Sequence, residues 1–161
     1  MILYVNGDSH TAGAEAVNTC TFAEDDGQYF YMGRAPHPDN LQVSWGKLLS
    51  LVLQTGLKCD AEGASSNTRI LRTTRHWLAN QINLSDVLVI IQWSTWEREE
   101  WEYKGQYYDV NSGGHETLPA ELQERYKHWI TEQGPEQQSL KSKNMHEQIY
   151  RLHRSLLDRK I

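Results

Sequence analysis

The run Asp86-Val87-Leu88-Val89-Ile90-Ile91-Gln92-Trp93 constrains the fold of this chain more than any other stretch. Its central residues are apolar without alternation, so a strand built from them must be covered on both faces. Strands of a parallel sheet flanked by helices have this character. Two other short apolar runs precede it, Ile2-Leu3-Tyr4-Val5 and Leu57 to Ala61. Between the runs lie two segments with helical spacing. The first follows Ser44, a suitable cap, and repeats Trp45, Leu48, Leu49, Val52 and Leu53 before Gly56 ends it. The second follows Ala64-Ser65-Ser66-Asn67 and presents Ile70, Leu71, Thr74, Trp77 and Leu78 on one face. The order β-α-β-α-β predicts an α/β fold with a doubly wound parallel sheet.

The rest of the chain reads as loops and two further helices. Asn18 to Asn40 is a long polar segment carrying Phe22, Tyr29, Phe30 and Tyr31, which either cover a cleft or pin the loop down. Ser94 to Thr117 reads as a second long loop, rich in Trp and Tyr and holding the pair Gly113-Gly114. Pro119 suits the first turn of a helix to about Gln133, with Leu122, Tyr126, Trp129 and Ile130 inward. Gly134-Pro135 breaks it. A last helix buries Met145, Ile149, Leu152 and Leu156. No repeat, low-complexity tract or second domain is visible, so residues 1–161 read as one domain.

The first strand ends in Val5-Asn6-Gly7-Asp8-Ser9-His10, and Thr11 to Ala16 then begins a helix. Ligands of open α/β sheets bind outside the carboxyl ends of the strands, which places Ser9 at a cleft. Gly7 permits a sharp turn, and nearby backbone N–H groups are suited to holding an oxyanion. An equally simple reading makes Asp8 or Ser9 the cap of the following helix.

Composition removes several classes of function. The net charge of −5 and the absence of a basic stripe argue against nucleic acid. No Gly-x-Gly-x-x-Gly follows the first strand and no phosphate-loop Lys is present, which disfavours a nucleotide-binding α/β protein. No His or carboxylate pair has metal-ligand spacing, so neither a metal nor another cofactor is expected. Cys20 and Cys59 are far apart and read as free thiols of a reducing compartment. Met1 runs straight into a strand and no stretch approaches a membrane span, so a cytoplasmic protein without a membrane partner is expected.

Three strand ends now carry small or polar residues: Gly7-Asp8-Ser9, Gly63-Ala64-Ser65-Ser66-Asn67 and Gln92-Trp93-Ser94. In this order they resemble the first blocks of the SGNH (GDSL-type) hydrolase family, most closely over Met1 to Arg98, and are similar to small members from marine phages and bacteria. The resemblance implies a flavodoxin-like three-layer sandwich and hydrolysis of small-molecule or carbohydrate esters. It implies Ser9 as the nucleophile and Gly63 as an oxyanion-hole N–H. The family's third block is Gly-x-Asn-Asp. Here the corresponding place reads Gln92-Trp93-Ser94-Thr95, with Ser94 nearest the Asn position. Asn67 is an alternative amide donor, or else an ordinary helix cap.

The family's C-terminal Asp-x-x-His does not occur. His10, His37, His76, His115, His128, His146 and His153 are the histidines, and His115 alone lies in a loop free to reach Ser9. The sheet therefore reads as shortened after its third strand. Its far edge is expected to be covered by the Trp- and Tyr-rich loop, by the last helix, or by another chain in a homo-oligomer or with a partner. Two functions follow: a serine esterase or acetyl-hydrolase working through a Ser9 acyl-enzyme, or an inactive binding or structural module of the same fold, phage-derived in origin.

Overall fold

In the computed structural model, residues 1–23, 34–113 and 118–159 are described. Three parallel strands, β1 (Ile2–Asn6), β2 (Gly56–Cys59) and β3 (Val87–Ile91), form a sheet in the order β2-β1-β3. Ile2 is level with Gly56 on one side and with Val87 on the other. The helices are α1 (Ser9–Ala12), α2 (Pro38–Val43), α3 (Trp45–Val52), α4 (Asn67–Ala79), α5 (Ala120–Thr131) and α6 (Pro135–Asp158). The protein is therefore a mixed α/β structure built on a parallel sheet, as the apolar runs predict. Among the described residues no helix is long and apolar enough to cross a membrane.

The central strand uses its two faces differently. Leu3, Tyr4, Val5 and Asn6 are all fully buried. Tyr4 and Asn6 face α4, where the Tyr4 ring stacks on Trp77 at 4.3 Å. The Asn6 amide donates to Thr73 Oγ1 at 2.8 Å and Thr74 Oγ1 at 2.9 Å. Val5 points the other way, against Gly46 of α3. This close approach corrects the expected face of α3. The residues expected inside were Trp45, Leu48, Leu49, Val52 and Leu53, but the buried positions are Gly46 and Ser50. A Cβ on Gly46 would lie 3.1 Å from Val5 Cγ2, so only small residues fit there. Leu48 and Val52 turn outward, at 53% and 78% exposure.

Three boundaries and one buried position also differ from expectation. Helix α1 is a single turn, closed by Gly13 in the left-handed region at φ 69°. Helix α2 occupies part of the expected first loop. Helix α3 ends at Val52, and Gly56 opens β2 instead of closing the helix. Ile130, expected inside α5, is 36% exposed.

The largest correction concerns Ser94 to Thr117. This stretch holds an antiparallel hairpin, β4 (Glu99–Tyr103) and β5 (Gln106–Val110). Its two-residue turn is Lys104-Gly105, both at positive φ (51° and 79°), the conformation that matches strand twist. One face of the hairpin carries Trp101, Tyr108 and Val110 into a core with Leu118, Leu122, Tyr126 and Trp129. The hairpin pairs with itself and not with β3. Helix α6 packs on α4, its Leu152 and Leu156 joining Leu71 and Leu78 in a cluster against which Val89, Ile91 and Trp93 pack. Among the described residues no strand pairs with the far edge of β3.

Candidate functional site

The carboxyl ends of the three strands are tied together by backbone hydrogen bonds. Asp60 N–H donates to Val5 O at 3.0 Å, Glu62 N–H to Gly7 O at 3.3 Å and Gln92 N–H to Asn6 O at 2.9 Å. Gly7 is fixed by packing: a Cβ there would press on the Thr11 side chain and lie 3.0 Å from Gln92 Cβ. Asp8 is the cap of α1, its Oδ1 accepting from His10 N–H at 3.1 Å. Gln92 Nε2 donates to the same oxygen at 3.1 Å, and the Thr11 hydroxyl donates to Gln92 Oε1. Both ends of the Gln92 amide therefore brace the turn that presents Ser9.

Past β2 the chain enters a buried ionic layer. Glu62, with no solvent exposure, pairs with Arg69 Nη2 at 2.7 Å and lies 3.7 Å from Arg34 Nε. Arg69 Nη1 also donates to Asp60 O at 2.7 Å. A carboxylate taken so completely from water requires such partners. The next residue, Gly63, is constrained like Gly7, since a Cβ would stand 3.1 Å from Thr21 Cγ2.

Ser9 and Gly63 line one cavity of 410 Å³, together with Phe22, Arg34, Ala64 and Asp109. Arg34 lies over the Phe22 ring, 3.5 Å from its centre. Among the described residues, neither the Ser9 nor the Gly63 N–H has a hydrogen-bond partner. Asp109 comes from β5, opposite Glu100 of β4. These two residues, with Tyr107, occupy the hairpin face turned away from the aromatic core. Glu100 takes a two-pronged bond from Arg72, at 2.8 and 2.6 Å, and Arg72 lies over Tyr107 at 3.8 Å. Asp109 Oδ1 is buried with no hydrogen-bond partner among the described residues. Burial, and next the nearby Glu62 carboxylate, push the Asp109 carboxyl well above the usual carboxylate range.

The four residues singled out from sequence separate into two pairs. Ser9 and Gly63 share the cavity. Asn67 and Ser94 instead bind each other: Asn67 Nδ2 donates to Ser94 O at 2.8 Å, and Ser94 N–H donates to Asn67 Oδ1 at 2.7 Å. The Ser94 hydroxyl accepts from Arg98 Nη1 at 3.2 Å. Ser66, not Asn67, caps α4 by accepting from Arg69 N–H.

His10 sits beside Asp8, with its side chain 82% exposed and outside the cavity lining. His76, His128, His146 and His153 are on exposed helix positions. His115, Tyr29, Phe30 and Tyr31 lie outside the described residues. Arg34 and Asp109 were missed from sequence. Asp109 could have been found only by recognising the hairpin and its alternation. Among the described residues, no group of three or more His, Cys, Asp or Glu could hold a metal ion. No family model, curated protein or solved structure matches the chain.

Proposed function

We propose that the protein is an SGNH-type serine ester hydrolase in which Ser9 forms an acyl-enzyme. The observation that carries this reading is the shared cavity of Ser9 and Gly63 at the carboxyl edge of a parallel sheet. That edge is where open α/β sheets place their ligands, and β2-β1-β3 corresponds to the first three strands of the flavodoxin-like order. In this reading Ser9 Oγ attacks the ester carbonyl, and the N–H groups of Ser9 and Gly63 hold the resulting oxyanion. Asn67 and Ser94 brace the turn after β3. The cavity accommodates the acyl end of a small-molecule or sugar ester, with no metal or organic cofactor taking part.

A fluorophosphonate probe tests the nucleophile directly. Peptide mass spectrometry should find one phosphonyl adduct on the peptide containing Ser9, absent from Ser9→Ala. A chain that stays unlabelled at Ser9 under denaturant-free conditions contradicts the proposal.

A second reading, a module of the same fold that binds without turnover, is favoured by one observation. Among the described residues that line the cavity, the titratable groups are Glu15, Arg34 and Asp109, and none is an imidazole. Binding of an acetylated oligosaccharide with no release of acetate would support it.

A further inference from the structure

We propose that Asp109 is the general base of the Ser9 site, taking the proton from Ser9 Oγ directly or through one water. This inference rests on the Ser9 reading. Four observations carry it. Asp109 lines the same cavity as Ser9. Its Oδ1 is buried without a hydrogen-bond partner among the described residues, so this acceptor is not consumed by the fold. The register of the hairpin fixes it on the face turned toward the sheet half, opposite Glu100, while its neighbours Tyr108 and Val110 anchor the strand in the aromatic core. The two nearby carboxylates already have cationic partners: Glu62 has Arg69 and Arg34, and Glu100 has Arg72.

The environment suits the task. A serine hydroxyl is a weak nucleophile and needs an adjacent base. An ordinary carboxylate is too weak a base to serve well near neutral pH, and burial strengthens it. The groups that set its basicity are Glu62 and Glu100, which raise its proton affinity, and Arg69 and Arg34, which lower it. Glu15 shares the cavity wall.

The step balances within the site. The Ser9 O–H bond breaks, its proton forms a bond to the Asp109 carboxylate, and Oγ bonds to the acyl carbon as the carbonyl electron pair moves to oxygen. Collapse of that intermediate expels the alkoxide, which leaves with the Asp109 proton. Water then repeats the sequence on the acyl-enzyme, giving a proton to Asp109 that returns to Ser9 as the acid departs.

The test is p-nitrophenyl acetate hydrolysis across pH by the full chain, Ser9→Ala and Asp109→Asn, with thermal melts confirming that each variant folds. The inference predicts a wild-type kcat/KM that rises with pH through one ionisation above the ordinary carboxylate range. It also predicts a loss of about 100-fold or more in Asp109→Asn, with that ionisation gone from the residual rate. A purely structural role for Asp109 would leave the ionisation in place. Loss of activity in Ser9→Ala with full activity in Asp109→Asn overturns the base assignment and leaves the nucleophile standing. An unchanged rate in Ser9→Ala overturns the Ser9 reading itself. Should Asp109→Asn fail to fold, a wild-type profile that is flat above the carboxylate range overturns the inference alone.

Discussion

Around β1 the buried side chains form a polar web, whereas between the hairpin and α5 they are aromatic. Tyr4, Asn6, Thr74 and Asp60 hydrogen-bond to one another beneath the sheet, and Glu62 and Arg69 pair beside them. In the other region Trp101 and Trp129 meet edge to face at 6.2 Å. A half-buried polar anchor there is Glu99, which accepts from both indoles, at 2.9 and 2.8 Å, and pairs with Lys141 at 2.7 Å. The contrast teaches how the site is made. A short three-stranded sheet fixes its strand ends by hydrogen bonds of specified geometry. The aromatic unit supplies bulk behind the hairpin, whose other face carries Asp109 and ties Glu100 to Arg72 of α4.

Trp129→Ala should separate the two regions most sharply. It removes the centre of the aromatic core and should cost about 3–5 kcal/mol in urea denaturation. If the regions are held independently, amide exchange should accelerate in β4 and β5 while Leu3 to Val5 keep their protection. Uniform acceleration in both would show a single cooperative unit.

Arg69→Met probes the polar region. It leaves Glu62 buried beside Arg34, 3.7 Å away, and should cost about 3 kcal/mol, the low end for breaking a buried pair. Asn6→Ala should cost about 2 kcal/mol, because the hydroxyls of Thr73 and Thr74 lose their donor. An Asn6→Ala midpoint equal to wild type would mean that the web contributes geometry and no stability.

The smallest effects are expected from two carboxyl groups on opposite hairpin faces, and their signs differ. Burial opposes ionisation of Glu99, but the bonds from Lys141, Trp101 and Trp129 outweigh it and hold the carboxyl below its usual range. Its contribution is therefore full above the ordinary Glu range and fades as pH falls through the depressed value. Asp109 is shifted upward, so its contribution is present below the ordinary Asp range and is lost as pH rises through the raised value. Melts from pH 3 to 8 should show Glu99→Gln losing ground to wild type as pH rises, and Asp109→Asn gaining. Parallel curves for the two variants would contradict these assignments.

How far the sequence revealed this structure depended on whether an element was marked by an unbroken apolar run or by an apolar face in a regular period. Val87 to Ile91 and the Ile70, Leu71, Thr74, Leu78 face of α4 both followed such patterns. Helix α3 misled because its sheet contact needs smallness, which Gly46 and Ser50 provide, and Leu48, Leu51 and Val52 are left outside. The hairpin stayed hidden because Lys104-Gly105 lacks the Asn-Gly signature, and Glu99-Glu100-Trp101-Glu102-Tyr103 is too acidic to stand out as a strand. Gly7-Asp8-Ser9 was visible as a turn at a strand end. Its companion Asp109 was not, since it lies a hundred residues away in the element that was read as a loop.

The most direct test of the account is release of p-nitrophenol from p-nitrophenyl acetate by the purified chain beside its Ser9→Ala variant. Turnover above the buffer rate is expected for the chain, falling to that rate in the variant. Equal rates for the two proteins, at or above background, would contradict a Ser9 nucleophile and point to the binding module instead.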